Sequence, residues 1–201
     1  MRPFPFSLAF QAKKDAAPTK GAAPAAADPD AKAIAAIEKS GGSVRAIAQN
    51  DERREVNLQG AAIKDADIAP VAQLPKVAYL HLAKTSVTDA GLASLKGLAD
   101  LEHLHLEGTP ITDKGLVHLK DLKKLTYLNL YNTAITDAGL AQLAGLANLK
   151  HLYLWQTKVT DEGVKKLKQA LPNLDINRGS ELETKPPAKA EPKEEKKEKP
   201  N

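Results

Sequence analysis

The stretch LEHLHLEGTPITDKGLVHLKDLKK, Leu101 to Lys124, changes its hydrophobic period halfway along. Leu104 and Leu106 alternate with polar residues, the period-two pattern of a strand with one buried face. Thr109-Pro110 then turns the chain, Ile111 reaches inward, and Thr112 or Asp113 stands where a helix cap belongs. Leu116, Leu119 and Leu122 follow at three-residue steps, the inner stripe of a short helix. One strand and one helix are thus joined within 24 residues.

The pattern returns at a fixed step of 24 residues. Leu80, Leu104, Leu128 and Leu152 are related by it, as are Leu82, Leu106, Leu130 and Leu154. Thr85, Thr109, Thr133 and Thr157 keep the same step, as do Asp89, Asp113, Asp137 and Asp161, and Gly91, Gly115, Gly139 and Gly163. A weaker copy one step back holds Val56, Leu58, Ile63, Asp65, Ile68, Val71 and Leu74. This gives five units: 53–76, 77–100, 101–124, 125–148 and 149–173, the last with one extra residue. A unit this small cannot bury its apolar face alone, so the period predicts an α/β solenoid. Parallel strands would line its concave face and short helices its convex face.

The recurring LxxLxLxxTxITDxGLxxLxxL resembles the leucine-rich repeats of the ribonuclease-inhibitor and F-box type, as found in planctomycete-like bacterial proteins, several of them exported. The resemblance implies a leucine-rich repeat solenoid acting as an interaction module with no shared active site, its partner a protein or peptide. No F-box accompanies the repeats, so a ubiquitin-ligase receptor role is not supported. CxxCH is absent, and with it the cytochrome module of some such bacterial proteins.

The ends of a solenoid need caps. DAKAIAAIEKSGG reads as a helix with Ile34 and Ile37 turned inward, stopped by Gly41-Gly42. SVRAIAQNDERREVNLQG then suggests two strands about Asn50-Asp51, and LPNLDINRG one last strand. The expected division is a cap over 31–52 and repeats with a closing strand over 53–179. Nine of the thirteen prolines fall in residues 1–30 and 180–201. The first of these segments reads as a disordered arm and linker or, in MRPFPFSLAFQAKK, the remnant of a signal peptide. The second reads as a disordered Lys/Glu/Pro tail. Export is slightly favoured over a cytoplasmic location.

Composition excludes several classes. The chain has no cysteine, hence no disulfide, thiolate metal site or cysteine nucleophile. Its net charge of +4 comes from dispersed lysines, and the tail mixes six lysines with six glutamates from Glu181 onward. No single-sign stripe suits a phosphate backbone, so nucleic acid is not an expected partner. No apolar run reaches the ~20 residues of a membrane span. No nucleophile–base set, phosphate-cradling loop or cofactor motif occurs, so neither a catalytic residue nor a cofactor is expected. A monomer is expected.

The leucines of each strand point inward, so the residues between them point out. Those positions read Glu55, Asn57 and Gln59; Tyr79, His81 and Ala83; His103, His105 and Glu107; Tyr127, Asn129 and Tyr131; His151, Tyr153 and Trp155. All four tyrosines, the sole tryptophan and four of the five histidines fall in this set. The expected ligand-binding face is therefore Tyr79, His81, His103, His105, Glu107, Tyr127, Asn129, Tyr131, His151, Tyr153 and Trp155. Its expected rim is Asn129, Asn132, Gln156, Lys84 and Glu107. Tyr127, Tyr131, Tyr153 and Trp155 are the candidate anchors for a protein or peptide. Aromatic rings also support one another across a sheet, which is the competing explanation. The alternatives are a glycan ligand, a metal-dependent enzyme using His81, His103 and His105, and a structural spacer.

Two further ladders are expected to be structural. The threonines at 85, 109, 133 and 157 can satisfy loop carbonyls. The glycines at 91, 115, 139 and 163 mark a close approach between a helix and the neighbouring turn. The repeated aspartates, each beside a helix start, are expected to sit apart at the repeat spacing, without catalytic use.

Overall fold

A computed structural model describes residues 29–179. The arm, the signal-peptide alternative and the Lys/Glu/Pro tail lie outside the described residues. Among the described residues seven strands form one sheet in sequence order. They are β1 (Ser43–Ala46), β2 (Arg54–Asn57), β3 (Val77–His81), β4 (His103–His105), β5 (Tyr127–Asn129), β6 (His151–Tyr153) and β7 (Asp175–Asn177). The first pair is antiparallel and every later pair parallel. The register follows the repeat: Leu80 lies beside Leu104, Leu104 beside Leu128, Leu128 beside Leu152, and Leu152 beside Ile176.

Helix α1 (Pro29–Lys39) buries Ala33 and Ile37 against the first turn, with Ile34 partly buried beside them. The convex side carries α2 (Asp89–Leu92), α3 (Asp113–Leu116), α4 (Asp137–Leu143) and α5 (Asp161–Ala170). After β2 that side is made of two 3-10 turns, Asp65–Ile68 and Val71–Gln73. The leucine spacing has a physical counterpart here: α2 and α3 each tighten after four residues into a 3-10 turn, which returns to the same face every three residues. Among the described residues the core is one aliphatic column, with Leu80, Leu104, Leu128 and Leu152 fully buried and no aromatic side chain in it.

Polar ladders tie the turns. Each core threonine donates its hydroxyl to the carbonyl three residues back, as in Thr85 to Leu82 at 2.7 Å and Thr133 to Leu130 at 2.6 Å. Threonine is the cap: Thr112 Oγ1 accepts from Lys114 N, Thr88 and Thr136 accept two residues on in the same way, and Thr160 accepts from Gly163 N, three residues on. The aspartate beside it turns to the next unit instead. Asp89 accepts Thr112 N–H at 2.7 Å and the Thr112 hydroxyl at 2.5 Å. Asp65, Asp113 and Asp137 bind Thr88, Thr136 and Thr160 likewise.

The helix glycines make room for that bond. A Cβ on Gly91 would lie 2.6 Å from Asp65 Oδ1, and one on Gly115 2.5 Å from Asp89 Oδ1. Gly139 and Gly163 meet Asp113 and Asp137 closer still. The close approach expected of these glycines is therefore to a carboxylate of the preceding unit.

A second backbone ladder follows strands β2 to β6. Gly60, Lys84, Gly108, Asn132 and Gln156 recur one unit apart, all with φ between 52° and 71°. Three of the expected rim residues are thus held in the left-handed region by the turn at the strand's end.

Candidate functional site

Alternation along β3 to β6 puts the site residues on one concave face. Tyr79, His81, His103, His105, Glu107, Tyr127, Asn129, Tyr131 and Tyr153 are partly buried there, while His151 and Trp155 are exposed. Trp155, at 51%, is the largest exposed apolar side chain among the described residues. Ala83 departs from the expected outward set, being fully buried. Its methyl is too short to stand clear of its neighbours.

The rings stack along the rows that the parallel register creates. Tyr79 lies on His103 with centroids 4.3 Å apart and planes 9° from parallel, and His103 lies on Tyr127 at 5.4 Å. His81 stacks on His105 at 4.5 Å, and His105 meets Tyr127 at 4.8 Å. Tyr127 continues to Tyr153 at 5.2 Å, and Tyr131 to Trp155 at 5.2 Å. Strands ~4.8 Å apart place equivalent side chains at a distance suited to offset stacking. Mutual support across the sheet and an outward display are therefore both present. Tyr127 is the hub of the stack, and burial pushes its hydroxyl up to about 12, with the Tyr153 and Glu107 charges adding to the rise.

Carboxylates flank the histidine end. His81 Nε2 is 3.1 Å from Glu55 Oε1, out of the line a hydrogen bond needs, and His105 Nδ1 is 3.2 Å from Glu107 Oε1. Glu107 accepts from His105, so Nδ1 carries the proton. Burial holds His81 and His103 below the ordinary imidazole value; His105 adds to the effect, while Glu55 and Glu107 oppose it at His81 and Glu102 at His103. Burial alone would raise Glu107, but the hydrogen bond and charge of His105 bring it below its ordinary value. A hollow of ≈ 380 Å³ opens here between Ile47, Glu55, Tyr79, His81, His103 and His105.

Among the described residues, no group of three or more His, Asp or Glu side chains could hold a metal ion. Stacked imidazoles direct their in-plane lone pairs side by side rather than toward one point.

At the other end a pocket of ≈ 360 Å³ is lined by Asn129, Tyr131, Tyr153, Trp155 and Asn177. Asn129 Oδ1 accepts from Tyr131 N at 3.0 Å, and Asn177 Oδ1 from Gly179 N at 2.9 Å. Asn177 was absent from the expected set, since it lies on the closing strand. Its step of 24 from Tyr153 was the available signal. A larger hollow, ≈ 590 Å³, runs along the loop from Ala48 to Arg53 at the cap. Its charges are paired internally, Arg53 with Asp51 and Glu102, and Lys76 with Glu52.

A family model described as Leucine Rich repeat matches residues 98–120, 121–144 and 145–168. Together with the parallel strand-and-helix architecture, this gives the described residues a leucine-rich repeat fold. Among solved structures it is similar to an internalin, InlF, from Listeria monocytogenes (24% identity, 54% of this chain, 30% of that one, TM-score 0.46). It is also similar to internalin C2 of that organism (20% identity, 61% of this chain, 69% of that one, TM-score 0.42). A third is the repeat ectodomain of the receptor kinase SOBIR1 from Arabidopsis thaliana (16% identity, 77% of this chain, 94% of that one, TM-score 0.49). The chain spans under a third of the InlF chain it matches, at 30%. No curated protein sequence matches it.

Proposed function

We propose that this leucine-rich repeat protein is a non-catalytic binding module whose concave face recognises a protein or peptide. Repeat solenoids in general offer extended concave surfaces to protein partners. Here one observation carries the reading: every tyrosine and the only tryptophan sit on that open face, while among the described residues the core has neither. An aromatic centre with a polar rim is the usual composition of an interface. The site comprises Tyr79, His81, His103, His105, Glu107, Tyr127, Asn129, Tyr131, His151, Tyr153 and Trp155, carried by repeats and closing strand over 53–179 and capped by 31–52. Among the described residues no helix is long and apolar enough to cross a membrane.

Ring stacking ranks the anchors. Tyr127 is consumed by its neighbours, so Tyr131, Tyr153 and Trp155, which line a pocket, are the contact residues.

The test is affinity capture from the native organism with wild type and a Tyr153→Ala/Trp155→Ala variant that folds normally. A protein retained by wild type and lost by the variant supports the reading. Equal retention by both removes it.

A further inference from the structure

We infer that the pocket of Asn129, Tyr131, Tyr153, Trp155 and Asn177 is a docking site for a proline-rich segment, and that its resident occupant is this chain's own Leu182–Pro187. The lining carries no charged side chain. Both asparagine carbonyls are engaged by backbone N–H groups, Tyr131 N and Gly179 N. The pocket therefore turns toward a ligand aromatic carbon together with N–H and O–H donors. Those donors are the Asn177 carboxamide N–H groups, the Tyr131 and Tyr153 hydroxyls and the Trp155 indole N–H, the Asn129 amide being engaged with the Tyr127 hydroxyl.

That inventory complements a proline-rich backbone. Proline has no N–H to leave unpaired, its carbonyls accept, and its ring packs on aromatic side chains. The pocket crosses from β5 to β7, two strand spacings or about 10 Å. One turn of polyproline helix, three residues, covers about 9 Å.

The place where the described chain ends selects the occupant. Gly179 packs directly on the Trp155 indole, so the chain beyond it starts at the pocket's edge. The sequence from there is Ser180, Glu181, Leu182, Glu183, Thr184, Lys185, Pro186 and Pro187. Six residues separate Gly179 from Pro186, an extended reach of about 20 Å, enough to turn back across the pocket. Leu182 supplies a further apolar group.

Tethering makes even a weak contact effective. A short connection gives an effective concentration on the order of 1 mM. A contact with a dissociation constant of about 0.1 mM between separate molecules would then be closed roughly ten times out of eleven within one chain. The tail thus competes with any partner for the Tyr131–Trp155 end of the face. Only this regulatory consequence rests on the binding-module reading.

Trp155 is the sole tryptophan, so one indole N–H resonance reports the pocket. The experiment compares full-length wild type with a Leu182→Ser/Pro186→Ser/Pro187→Ser variant, both titrated with a synthetic Ser180–Ala190 peptide. The inference expects a shifted indole signal in the variant, returned to the wild-type position by peptide. Wild type, already closed by its own tail, should show almost no shift over the same peptide range. Coincident indole signals with no response to peptide would overturn it. So would a difference that fades on dilution, which assigns the contact to a second copy. Neither readout involves the partner, so failure of the tail contact leaves the capture experiment standing, and the reverse.

Discussion

The carboxylate that links one unit to the next makes a sharp prediction at Asp113 and Gly139. Asp113 accepts the Thr136 N–H at 2.8 Å and its hydroxyl at 2.6 Å. Asp113→Ala removes both acceptors. Water can serve the hydroxyl at this partly exposed site, so the loss is near that of one charged hydrogen bond, about 2 kcal/mol. Gly139→Ala drives a Cβ into the same carboxylate and releases the same bonds, offset by the ~1 kcal/mol advantage of alanine within a helix. The net cost is about 1 kcal/mol. In the Asp113→Ala background that clash is gone, leaving Ile135 Cγ2 at 3.1 Å as the nearest obstacle. Gly139→Ala should there be neutral or slightly stabilising, a coupling of about 1–2 kcal/mol. Urea denaturation of the four proteins measures the cycle, and Asp113→Ala alone should lower Tm by about 4–8 °C. Additive costs within 0.5 kcal/mol would refute the reasoning, because the glycine would then serve something other than the carboxylate.

Further predictions concern strain and pH. Lys84 and Gln156 hold φ of 55° and 56°, so Lys84→Gly and Gln156→Gly should each stabilise by about 0.5–1 kcal/mol, read by thermal melts; destabilisation by either contradicts the strain argument. His81 and His103 are held below the ordinary value near 6.5, so below that pH the unfolded chain takes up protons that the folded chain refuses. Stability should therefore fall from pH 7.5 to 5.5, and His81→Gln/His103→Gln should flatten the urea-midpoint slope; an unchanged slope contradicts the assignment. Hydrogen bonds from Thr160 hold Asp137 below its ordinary range, so its contribution is present above about pH 3.9 and lost as pH falls through the lower folded value. Thr160→Val should raise the Asp137 pKa toward 3.9 in a carboxyl NMR titration; no change would assign the effect to other groups.

The architecture was legible because one rule, the 24-residue step, sets both the core and the register. Leu104 had to sit beside Leu80 and Leu128, and it does. The finer helix type was hidden, since a three-residue step suits a short α-helix and a 3-10 turn equally. The Asp113–Thr136 bond crosses 23 residues, and local capping rules assign both groups to their own helices. The left-handed ladder left a signal in Gly60, Gly108 and Asn132, obscured by Lys84 and Gln156 in the same row.

For the candidate face, alternation identified which side chains point outward, but not how much of each its neighbours cover. Tyr127 and Trp155 occupy similar outward positions, yet one is walled in by three rings and the other stands open at 51%. That difference depends on ring rotamers and on strand β7, which no single repeat contains. Ala83 shows the same limit at small scale.

The account stands most directly on one comparison of affinities for the captured partner. Trp155 lies on the concave side, whereas Val117, 39% exposed, lies on the convex side. Titration calorimetry of wild type, Trp155→Ala and Val117→Ser against that partner places the binding surface. Loss of a buried aromatic anchor costs about 2 kcal/mol or more, so Trp155→Ala should weaken binding roughly 30-fold while Val117→Ser changes it less than about twofold. Full affinity in Trp155→Ala, with a loss in Val117→Ser, would contradict a concave aromatic binding face.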